Sequence, residues 1–201
     1  MSQIWYAAFS EDFVGQAQKI FKKLDRDVIV TVWDPELVPE MLRRGVSVIL
    51  GRGATALRIR KVVDLPVVEI PIPFEDMADT LIEASRYGRN IGVIGYNNLL
   101  SGLECLNPIL NVSIRQIFAV DENDTYHQIQ KLKNEGIDVI VGGLLQTHYA
   151  RELGLPAVRI ELTDKSLSYA CQEAEKLIAT VKAATRKAEE LKTILNTTNE
   201  K

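Results

Sequence analysis

The chain has 201 residues, 46% of them hydrophobic and 25% charged, with a formal net charge of −3. That length holds one ordinary domain or two small lobes, and the acidic balance argues against non-specific nucleic-acid binding, which rests on a phosphate-neutralising basic surface. No run approaches the roughly 18 apolar residues of a membrane span, and the first residues lack the basic-then-apolar layout of a signal peptide, so a cytoplasmic protein without membrane contact is expected.

Short apolar runs alternate with longer amphipathic stretches. Strands are expected at about 3–8, 28–33, 46–50 and 67–70, with helices near 12–24, 36–43, 55–62 and 75–87 between them. The same order then returns: strands at 91–95, 114–119, 138–142 and 157–160, and helices near 99–110, 123–134, 147–152 and 165–195. Runs such as Val46-Ser47-Val48-Ile49-Leu50 and Val139-Ile140-Val141 are β-branched and nearly unbroken, as strands are when helices cover both faces of a parallel sheet. Right-handed crossovers follow.

The second half repeats the first at a spacing of roughly 90 residues. Gly45-Val46-Ser47-Val48-Ile49-Leu50-Gly51 aligns with Gly136-Ile137-Asp138-Val139-Ile140-Val141-Gly142, and Leu65-Pro66-Val67-Val68-Glu69-Ile70 with Leu155-Pro156-Ala157-Val158-Arg159-Ile160. The fold class expected is α/β: a tandem duplication of two Rossmann-like lobes, each a parallel sheet between helices, with a cleft between them. A lobe this small is marginal alone. Pro71 and Pro73 fix an extended path out of the fourth strand, so the helix beginning near Glu75 is expected to cross to the second lobe and the final helix to return. The division expected is residues 1–73 plus 164–201 for lobe one and 74–163 for lobe two.

The final helix carries Leu167, Ala170, Cys171, Ala174, Leu177 and Ile178 on one face, then Val181, Ala184, Ala188, Leu191 and Leu195 at alternating spacings of three and four. Two readings stay open: a seam that pairs with the same helix of a second subunit in a homodimer, or packing on lobe one followed by a polar tail. Cys105 and Cys171 have no CxxC or zinc spacing and are expected as buried reduced thiols. No metal cluster or cofactor motif is expected from residues so scattered.

In parallel α/β lobes, ligands meet the loops at the carboxyl ends of strands, beside helix N-termini. The strongest such loop is Gly51-Arg52-Gly53-Ala54-Thr55-Ala56. Its glycines let backbone N–H groups approach a ligand, and the helix that follows points its positive end there. Arg52 adds a fork of donors suited to a carboxylate; the alternative is a tight turn with Arg52 paired to Glu69 or Glu75. Ligand contacts are expected from Arg52, Gly53, Ala54 and Thr55, from Tyr96 and Asn97 after the strand that opens lobe two, and from Gly142, Gly143 and Thr147 in the equivalent loop of the second repeat. Ser166 either caps the last helix or reaches the ligand. The loop also fits GxGxxA, yet it follows the third strand rather than the first and its helix is too short for dinucleotide binding.

Enzyme readings fare poorly. His127 and His148 fall within helices, neither cysteine follows a strand, and no GxxxxGK[ST] phosphate loop occurs. No catalytic residue is assigned; the competing reading is a carboxylate lyase or isomerase using the same cleft.

The chain resembles the N-terminal sensor domain of the propionate-catabolism activator family, found on sigma-54-dependent transcription regulators of the NtrC type. The resemblance rests on Gly51-Arg52-Gly53-Ala54-Thr55-Ala56, Leu65 to Ile70, Gly92-Val93-Ile94-Gly95-Tyr96-Asn97 and Gly136 to Gly143, and spans roughly residues 1–180. It implies lobes with sheets of order 2-1-3-4 and a small organic-anion effector, a di- or tricarboxylate, which for the propionate regulator is 2-methylcitrate. It also implies downstream AAA+ and helix-turn-helix domains as partners, with no direct DNA contact by this segment. The chain departs from the family's segment at Ala54, usually glycine, and at Gly51, where serine is commoner.

Overall fold

The computed structural model of the chain describes residues 2–96 and 99–199. Eight strands and eight α-helices follow one another: β1 Ile4–Ala8, α1 Glu11–Lys23, β2 Ile29–Val32, α2 Val38–Arg43, β3 Val48–Gly51, α3 Ala54–Arg60, β4 Val67–Glu69 and α4 Phe74–Ala84. The second set is β5 Asn90–Gly95, α5 Asn107–Leu110, β6 Ser113–Phe118, α6 Glu122–Asn134, β7 Val139–Gly142, α7 Leu144–Glu152, β8 Ala157–Arg159 and α8 Asp164–Asn199. They form two four-stranded sheets, β2-β1-β3-β4 and β6-β5-β7-β8, every neighbouring pair parallel. The two Rossmann-like lobes of order 2-1-3-4 are therefore present.

The inner strands β1, β3, β5 and β7 are buried on both faces, as their nearly unbroken apolar runs require, while the edge strands are partly exposed. In β1, Ile4, Tyr6 and Ala8 face one layer with Phe21, Leu50, Leu167 and Cys171, while Trp5 and Ala7 face the other with Met41, Ile49 and Ile59. This is the period-two alternation of a strand between two helical layers. The buried Trp5 indole donates from Nε1 to Thr31 Oγ1 at 2.9 Å, so its polar edge is satisfied.

Helices α4 and α8 are exchanged. Met77, Leu81 and Ala84 of α4 pack with Val139, Val141 and Ile160 of the second sheet. Leu167, Ala170, Cys171 and Ala174 of α8 pack on the first. The two segments that cross between sheets are tied to one another: Thr163 donates from Oγ1 to Asp76 Oδ2 at 2.5 Å, and Lys165 Nζ meets Glu75 Oε1 at 3.2 Å. Glu75 and Lys165 lie 90 residues apart, at corresponding places of the two repeats. Corresponding positions touch when they sit at the axis that relates two copies.

Two expectations need correction. Residues 99–110 are not one helix: a 3-10 turn at Leu103–Leu106 leads into the single turn of α5. Gly102, with φ of +80°, precedes that turn, and Pro108 removes a backbone donor just inside α5. The turn buries Leu103 and Leu106, three residues apart, which leaves Cys105 exposed; only Cys171 is a buried thiol.

Among the described residues no helix is long and apolar enough to cross a membrane, and no group of three or more His, Cys, Asp or Glu is placed to hold a metal ion.

Candidate functional site

The carboxyl ends of β1 and β3 face those of β5 and β7 across a cleft of about 710 Å³, counted out to its open mouth. Lobe one contributes Tyr6, Phe9, Arg52 and Thr55 to the wall; lobe two contributes Ile94, Tyr96, Leu144 and Gln146. Helices α3 and α7 both begin at this wall, after Gly53 and Gly143, and neither first turn has a side-chain cap. The Thr55 N–H donates to the Arg52 carbonyl at 3.1 Å; the other first-turn N–H groups are the donors that a helix start leaves outside its own ladder.

Gly53 is needed as glycine, since its φ is +51° and an added Cβ would lie 3.3 Å from the Tyr96 ring. Gly142 serves packing: a Cβ there would come within 2.5 Å of Gln146 Cβ and 2.8 Å of the Ile94 carbonyl oxygen.

Arg52 does not pair with either carboxylate considered for it. Glu69 is held by Arg60 at 2.9 Å and Glu75 by Lys165 at 3.2 Å. Instead the guanidinium spans the cleft and donates from Nη1 to the Glu161 carbonyl at 3.0 Å and from Nη2 to the Ile160 carbonyl at 3.1 Å. Two of its five N–H donors are thus engaged, and among the described residues no carboxylate forms an ion pair with it. Burial pushes the Arg52 guanidinium down from its ordinary value, and the Tyr6 hydroxyl, Glu161 and Asp76 pull it back up.

Three neutral polar side chains on the wall make no hydrogen bond with a described residue: Tyr6, Thr55 and Gln146. Tyr6 and Gln146 are each only 3% exposed. Burial raises the Tyr6 hydroxyl to about 12, so it is a neutral donor and acceptor at pH 7. Because Gly51 and Gly142 close equivalent strands, Thr55 and Gln146, each four residues further on, are equivalent positions of the two repeats.

Of the residues expected at the site, Arg52, Gly53, Ala54, Thr55, Tyr96 and Gly143 line the cleft. Tyr96 presents its ring, since its hydroxyl shares a hydrogen bond with Thr125 Oγ1 at 3.2 Å. Gly142, Thr147 and Ser166 stand behind the wall. Thr147 bonds the Gly143 and Leu144 carbonyls, both at 3.0 Å, and Ser166 exchanges hydrogen bonds with Thr163 at 3.0 and 3.1 Å as a helix cap. Asn97 lies outside the described residues. Tyr6 and Gln146 were not expected. A tyrosine within an otherwise aliphatic strand, and a glutamine in the first turn after Gly142-Gly143, were the signals available.

Two lobes of duplicated parallel sheet, with an arginine and two helix starts facing the cleft between them, form the frame of a ligand site, and the comparisons identify the chain as a regulatory sensing domain. Residues 34–184 match the model of the propionate catabolism activator family, the PrpR N-terminal domain. The chain belongs to that family. The crystal structure of an NtrC family transcriptional regulator from Clostridium acetobutylicum superposes with a TM-score of 0.72 at 25% identity, covering 88% of this chain and 96% of that one. An ABC transporter periplasmic solute binding protein from Actinobacillus succinogenes with bound D-allose matches at a TM-score of 0.37 and 14% identity, over 88% of this chain and 90% of that one. At that score the likeness carries no argument.

Proposed function

We propose that this chain is the effector-binding sensor of a cytoplasmic NtrC-type transcription regulator, and that a small organic anion binding between the lobes is its signal. The observation that carries this reading is Arg52, a guanidinium on the wall of an enclosed cleft with no carboxylate partner and donors to spare. Glu161 and Asp76 favour its charge without pairing with it, and an incoming carboxylate supplies the direct, hydrogen-bonded partner that it lacks. The route outward is short. Arg52 holds the carbonyls of Ile160 and Glu161, and that segment feeds α8 at Asp164. A ligand that draws Arg52 away from those carbonyls therefore acts on the helix that runs to the chain's end, toward AAA+ and DNA-binding domains of the same polypeptide. The outer part of α8 also offers a seam for a second copy.

The competing reading, a carboxylate lyase or isomerase, finds little support. Among the described residues the cleft wall has no carboxylate, histidine or cysteine to move a proton, and a tyrosine held near 12 is a poor general base at neutral pH.

The test is a calorimetric and thermal-shift screen of organic acids with wild type and Arg52→Ala. Binding to the native state alone adds about 2.7 kcal/mol of stability at one hundred times Kd. At least one acid is expected to shift wild type and not the variant. Neutral sugars or amides shifting wild type while no acid does would refute the proposal.

A further inference from the structure

Resting on the reading that the cleft takes an organic acid, we infer that it selects a monocarboxylate with an apolar body and one neutral polar group, and discriminates against di- and tricarboxylates. The charge inventory of the cleft carries this. Arg52 is the sole cationic side chain on the wall among the described residues. Lys61, which makes no ion pair with a described residue, lines the adjoining pocket and not this wall. Four further cations nearby are already neutralised: Arg58 by Glu122, Arg159 by Glu161 in a bidentate pair at 2.8 and 2.9 Å, Lys165 by Glu75 and Lys23 by Asp164. Recruiting any of them to a second carboxylate would strand its present partner. Arg58 and Arg159 are further held over the rings of Phe9 and Phe13, at 5.9 and 5.5 Å from the centroids.

The rest of the wall is mainly apolar, with Phe13, Ile72, Ile94, Leu99, Leu144 and Ile160 prominent. A second carboxylate placed there would be desolvated without a counter-ion, and the Ile160 and Glu161 carbonyl oxygens beside Arg52 would repel it. What the wall does offer besides Arg52 is neutral. Gln146, nearly fully buried, carries a carboxamide with no partner among the described residues, and Tyr6 and Thr55 add hydroxyls in the same condition. Among the described residues the buried side-chain atoms without a partner, Ser47 Oγ and Glu69 Oε1, lie elsewhere, while these three side chains open onto the cleft, so a ligand's hydroxyl or carbonyl can meet them there in place of water. Such a site rejects an analogue that cannot satisfy it far more strongly than an apolar pocket rejects an extra methylene. Gln146 is thereby assigned as the residue that reads the uncharged end of the ligand.

The test uses isothermal calorimetry on the full chain with four probes: hexanoate, 6-hydroxyhexanoate, adipate and citrate. The first three share a six-carbon backbone and differ only at the far end. Hexanoate and 6-hydroxyhexanoate are expected to bind at least tenfold tighter than adipate or citrate, with the hydroxy acid the tighter of the two. Gln146→Leu should remove the advantage of the hydroxyl, so that 6-hydroxyhexanoate no longer binds tighter than hexanoate. Gln146→Lys, which supplies a second cation at the far end, should invert the order and favour adipate, with circular dichroism reporting that the variant is folded. Adipate or citrate binding wild type as tightly as hexanoate overturns the inference while leaving the organic-acid sensor intact. Failure of all four acids overturns this inference, and the sensor reading is then decided by the wider screen of acids against neutral sugars and amides.

Discussion

Arg52, at the end of β3 in one lobe, donates from Nη2 to the carbonyl oxygen of Ile160, just beyond β8 in the other lobe, at 3.1 Å. One side chain thus serves as anion receptor and as tether between lobes, and the two roles compete for the same N–H groups. A ligand can shift the lobes only if it binds one arrangement better than another, and this competition supplies such a difference.

Removing the tether therefore has a cost without any ligand. A hydrogen bond to a charged group contributes about 1.5–3 kcal/mol, and water reaching the part-buried guanidinium from the cleft mouth reduces the pair to about 2 kcal/mol in total. Arg52→Ala is expected to lower the unfolding free energy from urea titration by that amount and to increase hydrogen exchange of the first turn of α8. Arg52→Lys keeps the charge but loses the fork, and should restore part of any ligand shift while leaving the tether broken. A variant as stable as wild type, with unaltered exchange, would mean that the tether does not couple the lobes.

Glycine positions provide a sharper contrast. Gly142→Ala places a methyl group 2.5 Å from Gln146 Cβ and 2.8 Å from the Ile94 carbonyl oxygen, against backbone that has little room to move. Overpacking of this kind costs about 1–3 kcal/mol, and displacing Gln146 should weaken ligand binding as well. Gly15, exposed within α1, has nothing within 4 Å of an added Cβ. Gly15→Ala should stabilise the chain by about 0.5–1 kcal/mol. Thermal unfolding of the two variants beside wild type checks both signs at once.

Most of the architecture was legible because fully buried parallel strands have no polar face: the inner strands β1, β3, β5 and β7 stand out as apolar runs against their flanks, and the more polar edge strand β6, Ser113–Phe118, was placed through its position in the repeat. The segment after Tyr96 was not. Leu99, Leu103 and Leu106 imitate helical spacing, and only the positive φ of Gly102 shows that the chain turns there instead. At the site, Arg52 and its glycines were legible because a strand-end loop points at a cleft wherever the fold is doubly wound. Gln146 was not, since a glutamine in a first turn ordinarily faces water. Its burial follows from Gly142, which lets α7 start flush against the strand. Leu195, counted in the seam, has a side chain outside the described residues.

Alkaline pH should reveal the two buried acids of lobe one. Burial raises the Tyr6 hydroxyl from 10.0 to about 12 and the Cys171 thiol from 9.0 to about 11. Between those limits the folded chain keeps a proton that the unfolded chain has released, so stability falls as pH rises. The contribution is complete below pH 9 for Cys171 and below pH 10 for Tyr6, and is lost by about pH 11 and 12 respectively. Each amounts to on the order of 2–3 kcal/mol at most. Urea midpoints between pH 8 and 11.5 should decline for wild type and decline less for Tyr6→Phe and for Cys171→Ala. Parallel curves for all three would show that neither group is the source.

The outer part of α8 is expected to associate. Its inner turns are packed on lobe one through Leu167, Ala170, Cys171 and Ala174, with Leu177 and Ile178 partly buried, and Lys182 still reaches Gln3 Oε1 at 2.8 Å. From Val181 onward the apolar side chains are open, Val181 and Leu191 each 52% exposed, on a helix that continues to Asn199. A helical stretch of this length gains little from propensity alone and is marginal without packing. Val181, Ala184, Ala188 and Leu191 follow the alternating spacing of a two-helix seam, which a second copy would cover. Truncation after Thr180 should leave both lobes folded, because the α8 residues in the core all precede it. Sedimentation velocity across a concentration series is expected to show self-association of the full chain and a monomer for the truncated one. Equal association of the two would place any dimer elsewhere and leave α8 beyond Lys182 as a link to the next domain alone.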